Sequence, residues 1–115
     1  WAAEQLHLLQ PPFLTCEAVI SESLFLLSDA KKGVPTLLSM LQEELIRLSF
    51  DLDDHLDAVS RLLTKYRDVP MSLADACLVR MSEVHDRARI FTLDADFKIY
   101  RRHGRQTIPL IYPIR

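Results

Sequence analysis

The chain lacks long apolar runs, has few glycines and cysteines, and carries no excess of one charge; each shortage removes a class of protein. No apolar segment approaches the roughly 18 residues needed to cross a bilayer, and no basic stretch leads into an apolar one at the amino terminus. A soluble protein that is not exported and makes no membrane contact is therefore expected. The two glycines, Gly33 and Gly104, stand too far apart to form a phosphate-cradling loop. The two cysteines, Cys16 and Cys77, lie far apart in apolar segments. That spacing suits neither a disulfide framework nor a zinc site, and predicts buried thiols in a reducing cytoplasm. The formal charge of −2, from 14 Lys plus Arg against 16 Asp plus Glu, excludes a generally basic nucleic-acid-binding protein. The histidines His7, His55, His85 and His103 show no metal-ligand spacing and no nucleophile pattern, and read as surface or structural residues.

What the chain does have is length and apolar content for one domain, residues 1–115, with one core: 115 residues, 49% of them hydrophobic. Helical and extended patterns alternate along it. Residues 1–9 read as a helix ended by Pro11 and Pro12, and PFLT as a short buried strand leading to Thr15 as N-cap of a helix over 16–29. Gly33 and Pro35 predict a break, followed by a helix over PTLLSMLQEEL and a strand at IRLSF. Asp51, Asp53 and Asp54 open a further helix with Leu56, Val59, Leu62 and Leu63 on one face, closed by Pro70. MSLADACLVRMSEVHD reads as a helix, RIFTLD as a buried strand, ADFKIYRRHG as a short helix ended by Gly104, and IPLIYP as a last strand. Short apolar strands alternating with helices predict an α/β sandwich around a mainly parallel sheet.

Ligands of such sheets collect at the carboxyl ends of strands and the starts of the following helices, where several acidic residues fall. In CEAVISESLFLL, Glu22 is flanked at helical spacing by Ala18, Val19, Phe25 and Leu26, a carboxylate in an apolar stripe on a helix expected to be covered on two sides. Asp75 lies in the first turn of the helix opened by Ser72, and Asp94 ends RIFTLD with Asp96 beside it. Carboxylates brought together from different elements suit a hard cation, Mg²⁺ or Mn²⁺, so Glu22, Asp75 and Asp94 are expected to converge on one pocket. Each has a plainer reading: Asp75 as half of a capping box with Ser72, Asp94 as the cap of the next short helix, Glu22 as a surface or paired residue. The stretch 80–105 holds Arg80, Arg87, Arg89, Lys98, Arg101, Arg102 and Arg105, half of the 14 basic side chains, so any polyanion contact is expected at that end. Trp1, Tyr66 and Tyr100 read as core or interface residues rather than base-stacking platforms.

The run DVPMSLADACLVRMSEVHDRARIFTLDADFKIYRRHG resembles the second half of PIN-domain proteins, particularly VapC-type toxins, and PPFLTCEAVISESLFLL looks like the same family's earlier strand and Glu-bearing helix. The resemblance implies a PIN-like three-layer α/β/α sandwich and a Mg²⁺- or Mn²⁺-dependent endoribonuclease, the toxin of a type II toxin-antitoxin system, acting in the cytoplasm and covered by an antitoxin protein. Matched by position, Glu22, Asp75 and Asp94 would be catalytic carboxylates and metal ligands. Asp96 would be a supporting ligand or would position water, and Arg101, Arg102 and Arg105 would hold the RNA backbone. The family begins with a central strand bearing its first catalytic aspartate, and WAAEQL already resembles the helix after that strand. The expectation is therefore an N-terminally incomplete domain. The alternative is a non-catalytic PIN-like module that pairs with an antitoxin or nucleic acid. Leu37, Leu38, Met40, Leu41, Leu45 and Ile46, with helix 1–9, are expected to form a homodimer or antitoxin interface.

Overall fold

The computed structural model describes residues 1–113, apart from the side chains of Ala3 and Leu6. The chain divides into two compact units, Trp1–Phe50 and Asp51–Arg115. Both mix helices with short strands, so the α/β class holds. Among the described residues no helix is long and apolar enough to cross a membrane.

The first unit runs α1 (Ala2–Leu8), β1 (Phe13–Thr15), α2 (Glu17–Leu26), α3 (Gly33–Gln42) and β2 (Ile46–Leu48). β1 and β2 pair in parallel, Phe13 opposite Ile46 and Thr15 opposite Leu48. The parallel direction requires a crossover, and α2 and α3 supply it. Bonds from Phe13 N–H to the Leu45 carbonyl (2.8 Å) and from Ser49 N–H to the Thr15 carbonyl (3.1 Å) extend the pairing at both ends. The N-cap of α2 is Cys16 rather than the expected Thr15, which ends the strand and is buried. Gly33 begins α3 instead of breaking the chain. A Cβ at that position would meet the Cβ of Leu27 at 3.0 Å and that of Ala30 at 3.1 Å, so the close approach of the α2–α3 turn explains the glycine.

The end of α3 shows a cost. Glu44 N–H bonds to the Leu41 carbonyl and Leu45 N–H to the Met40 carbonyl, the two bonds of a Schellman closure, and Glu44 takes the left-handed position with φ 61°. Glycine would occupy it without strain between Cβ and carbonyl.

The second unit begins with a 3-10 helix, Leu52–His55, capped by Asp51, whose side chain accepts Asp53 N–H at 3.1 Å. It continues with α4 (Leu56–Lys65), α5 (Leu73–Val84), β3 (Ile90–Phe91), a second 3-10 helix (Ala95–Lys98), β4 (Arg101–Arg102), β5 (Gln106–Thr107) and β6 (Leu110–Ile111). β3 and β6 pair in parallel, whereas β4 and β5 are antiparallel. The described strands thus form three separate pairs, not one sheet, and strands of two or three residues give each pair few ladder bonds to extend. α5 is the buried axis of this unit: Ala74, Ala76, Cys77, Val79, Met81 and Ser82 are all buried. Its small residues let neighbours approach closely. From the predicted face of α4, Val59 and Leu62 are buried, Leu63 is half-buried and Leu56 is exposed.

The expected helix over ADFKIYRRHG is a 3-10 turn followed by a β-hairpin. The Arg101 guanidinium explains the stop: its Nη1 donates to the carbonyls of Lys98, Ile99 and Tyr100 at 2.7, 3.1 and 3.0 Å, satisfying groups that a continuing helix would bond itself. Positive φ at His103 (51°) and Gly104 (81°) then reverses the chain.

Two substitutions test one constraint in opposite directions. Glu44→Gly is expected to raise the free energy of unfolding by about 1 kcal/mol, and Gly104→Ala to lower it by about the same, because both act on left-handed backbone. Urea denaturation of both variants reads the effect; equal signs would show that backbone strain does not govern either turn.

Candidate functional site

The local chemistry of the acidic residues is set by helix ends. Ser72 and Asp75 make a reciprocal capping box on α5: Asp75 N–H donates to Ser72 Oγ at 3.0 Å, and Ser72 N–H donates to Asp75 Oδ2 at 3.2 Å. This satisfies two of the donors that every helix start leaves open, and puts a negative charge where the helix dipole favours it. In TLDAD, Thr92 Oγ1 accepts Asp94 N–H at 2.9 Å, and Asp94 Oδ1 accepts Asp96 N–H at 2.9 Å, so Asp94 is the N-cap of the second 3-10 helix. The plainer readings of Asp75 and Asp94 are thus both realised, and capping leaves each carboxylate with a second oxygen.

Tyr100 joins these two elements. Its ring is wholly buried, with edge-to-face contacts to Tyr66 (centroids 5.1 Å apart) and Phe97 (5.3 Å). Its N–H bonds to the Asp96 carbonyl at 3.2 Å, and its hydroxyl donates to Asp75 Oδ2 at 3.1 Å. Burial first, and then the Asp75 charge and its hydrogen bond, push the Tyr100 hydroxyl well above the ordinary tyrosine range; Asp96 and Asp94 add to the rise. Three carboxylates from α5 and the 3-10 segment thus act on one buried hydroxyl. The sequence reading placed Tyr66 and Tyr100 in a core or interface but gave Tyr100 no polar role. The available signal was chemical: a buried tyrosine needs an acceptor for its hydroxyl, and acids precede it on the same segment.

Glu22 lies in the first unit on α2, a helix with no buried residue. It is exposed, and so are Phe25 and Leu26, each at 79%. The expected covered helix is not found, and the physical puzzle of an unpaired buried carboxylate disappears, because an exposed one keeps its water. Apolar residues occur on every side of α2, so its sequence gave no contrast between faces.

Of the basic candidates, Arg101 caps the 3-10 end as described. Arg102 Nη1 donates to the carbonyls of Ser82 and Asp86, each at 3.0 Å, and its Nη2 lies 3.7 Å from Asp86 Oδ1. Both guanidinium groups thus serve the fold, while Arg105 is exposed beside Gly104.

Comparisons with protein-family models, curated proteins and solved structures give no match to this chain.

A divalent ion can be tested against the donors themselves. Among the described residues no three His, Cys, Asp or Glu side chains gather closely enough to hold a metal ion together. Mg²⁺, however, keeps most of its water and commonly takes only one or two carboxylates besides substrate phosphate oxygens. Asp75 Oδ1 accepts no hydrogen bond among the described residues, since both bonds to that carboxylate go to Oδ2, and Asp94 has one oxygen outside its cap. Each of these two carboxylates therefore keeps one oxygen outside its cap.

The raised affinity of Tyr100 for its proton has a signed consequence. The folded chain holds that proton after the unfolded chain has begun to release it, so the contribution is fully present below the unfolded tyrosine value of about 10 and declines as pH rises above it. The stability advantage of the native chain over Tyr100→Phe should therefore shrink between about pH 8 and about pH 11. Urea midpoints at both pH values measure this, and a constant difference would contradict it.

Proposed function

We propose that the chain is a Mg²⁺- or Mn²⁺-dependent endoribonuclease of PIN type, the toxin partner of an antitoxin protein, with the three-layer sandwich of that family and a cytoplasmic site of action. One observation supports the reading: the Tyr100 hydroxyl bonds Asp75 and the Tyr100 N–H bonds the Asp96 carbonyl, so the start of α5 and the Asp94–Asp96 segment meet at one buried residue. In this reading Asp75 and Asp94 offer carboxylate oxygens to the ion, and Asp96 supports them or orients the attacking water. When bound, the ion supplies a water of lowered pKa and positive charge for the leaving oxygen. Arg105, exposed in the turn between the hairpin strands, meets the RNA backbone. Glu22 is given a catalytic role on the resemblance alone.

A second reading, a non-catalytic module that pairs with an antitoxin or nucleic acid, is favoured by the engagement of Arg101 and Arg102 with backbone carbonyls. Both readings share a partner surface. Trp1, Leu8, Leu38, Leu45 and Leu48 of the first unit are exposed, and they are proposed to be covered by an antitoxin or a second copy of the chain.

Incubation of the chain with RNA in Mn²⁺ or EDTA separates the readings. Cleavage is expected only with Mn²⁺, and Asp75→Asn and Asp94→Asn, which keep a capping oxygen, are each expected to slow it at least about tenfold. Glu22→Gln should preserve stability, since the residue is exposed; loss of cleavage would give Glu22 its proposed role, and full activity would remove it. RNA binding without cleavage would leave the module.

The surface has its own test. Leu38→Asp is expected to shift the chain toward monomer in light scattering, or to weaken antitoxin binding; if it does neither, the proposed interface falls.

A further inference from the structure

The strand pair of the first unit leaves a backbone edge open. Phe13 N–H bonds to the Leu45 carbonyl and Ser49 N–H to the Thr15 carbonyl, with Leu14 opposite Arg47. In a parallel ladder alternate residues turn both backbone groups to the neighbouring strand, so Phe13, Thr15 and Arg47 face inward while Leu14, Ile46 and Leu48 face outward. The outward N–H and C=O groups of Ile46 and Leu48 have no hydrogen-bond partner among the described residues. On β1 only Leu14 faces outward, and Pro12, which has no N–H, blunts the approach to that edge. β2 presents two outward residues and no proline. Leu48 is 49% exposed on one face of the strand, and Arg47 is exposed on the other, with no ion pair among the described residues.

Two parallel strands of three residues gain little from their own ladder, and parallel pairs ordinarily lie inside larger sheets. A helix laid on this edge would keep its backbone groups to itself and leave those of Ile46 and Leu48 unmatched, whereas an extended segment matches them. A second copy of the chain is a poor third strand. Antiparallel pairing of β2 with itself about its middle residue sets Arg47 opposite Arg47, and like charges directly opposite destabilise a pair. Arg47 is the only charged residue of the strand, since Glu43 and Glu44 lie before it, at the left-handed turn.

We propose that the outer edge of β2 takes up an extended segment of a partner protein as a third strand, with a carboxylate opposite Arg47 and apolar residues on either side of it, beside Ile46 and Leu48. Leu38, on α3, belongs to the surface proposed above and takes no part in this edge, so the two fail separately.

NMR of the isotope-labelled full chain, titrated with synthetic peptides of core Val-Glu-Val or Val-Lys-Val, is the test. With the Val-Glu-Val peptide, the N–H groups of Ile46 and Leu48 should exchange more slowly with solvent, while Arg47 N–H, already inside the ladder, serves as the reference. The Val-Lys-Val peptide should bind about fivefold more weakly, and Arg47→Glu should reverse that order. Arg47 is exposed and unpaired, so this variant keeps the fold. Unchanged exchange at Ile46 and Leu48 up to millimolar peptide would overturn the proposal, and so would equal binding of the two peptides. Protection of both N–H groups in the chain alone, lost on dilution, would make the occupant a second copy and overturn it too.

Discussion

The second unit depends on the two ends of α5. At the start, Ser72 and Asp75 close the capping box and Asp75 also receives the Tyr100 hydroxyl. At the finish, Arg102 donates to the carbonyls of Ser82 and Asp86. A helix leaves open donors at its first turn and open acceptors at its last, and its dipole favours an anion at one end and a cation at the other. α5 is matched at both. Since the middle of the helix is buried and makes few polar demands, these terminal contacts decide which segments can lie against it.

The hairpin shows how this works. Arg102 reaches the end of α5, His103 N–H donates to Glu83 Oε2 at 2.6 Å, Lys65 Nζ donates to the Gly104 carbonyl at 2.8 Å, and Tyr66 Oη accepts Arg101 N–H. Glu83 is itself held by Arg80, whose Nε also donates to His55 Nδ1 at 3.0 Å. Two strands of two residues could not persist in water on their own ladder. Anchored from α4 and α5, they hold Tyr100, the residue just before β4, in the aromatic cluster. The acidic residues and the hairpin are therefore connected through Tyr100.

Much of this was legible in the sequence, and the failures have physical causes. Asp51, Ser72 and Asp75 were readable as caps because capping is local, and α5 was readable from its uninterrupted pattern. Thr15 missed the cap by one position, because a strand end and a helix start share a single residue step. The hairpin was unreadable as such: ADFKIYRRHG has helical composition, and what stops the helix is a side chain, Arg101, turning back on three carbonyls. The burial expected of Glu22 fails for a different reason. A pattern apolar on all sides predicts burial only if something covers every side, and α2 keeps Phe25 and Leu26 exposed. The sequence put acids near one another in the second unit, but only the tertiary fold could show that a tyrosine joins them.

The arginines carry the same lesson into chemistry. A run of basic residues after an acidic strand end reads as a phosphate-binding patch because net charge is all that sequence reports. Direction is what matters. Arg101 and Arg102 have their donors turned toward main-chain carbonyls, and Arg102 Nε is buried without an acceptor among the described residues. A guanidinium in that position cannot swing out to a phosphate without giving up the carbonyls it bonds. Its charge still contributes to the field, but its hydrogen bonds are committed. Under the proposed function, a phosphodiester would then be gripped by the divalent ion and by exposed basic residues such as Arg105. Under the proposed function, the ion neutralises repulsion between RNA and the acids as well as activating water, and that electrostatic duty follows from how the fold uses its arginines.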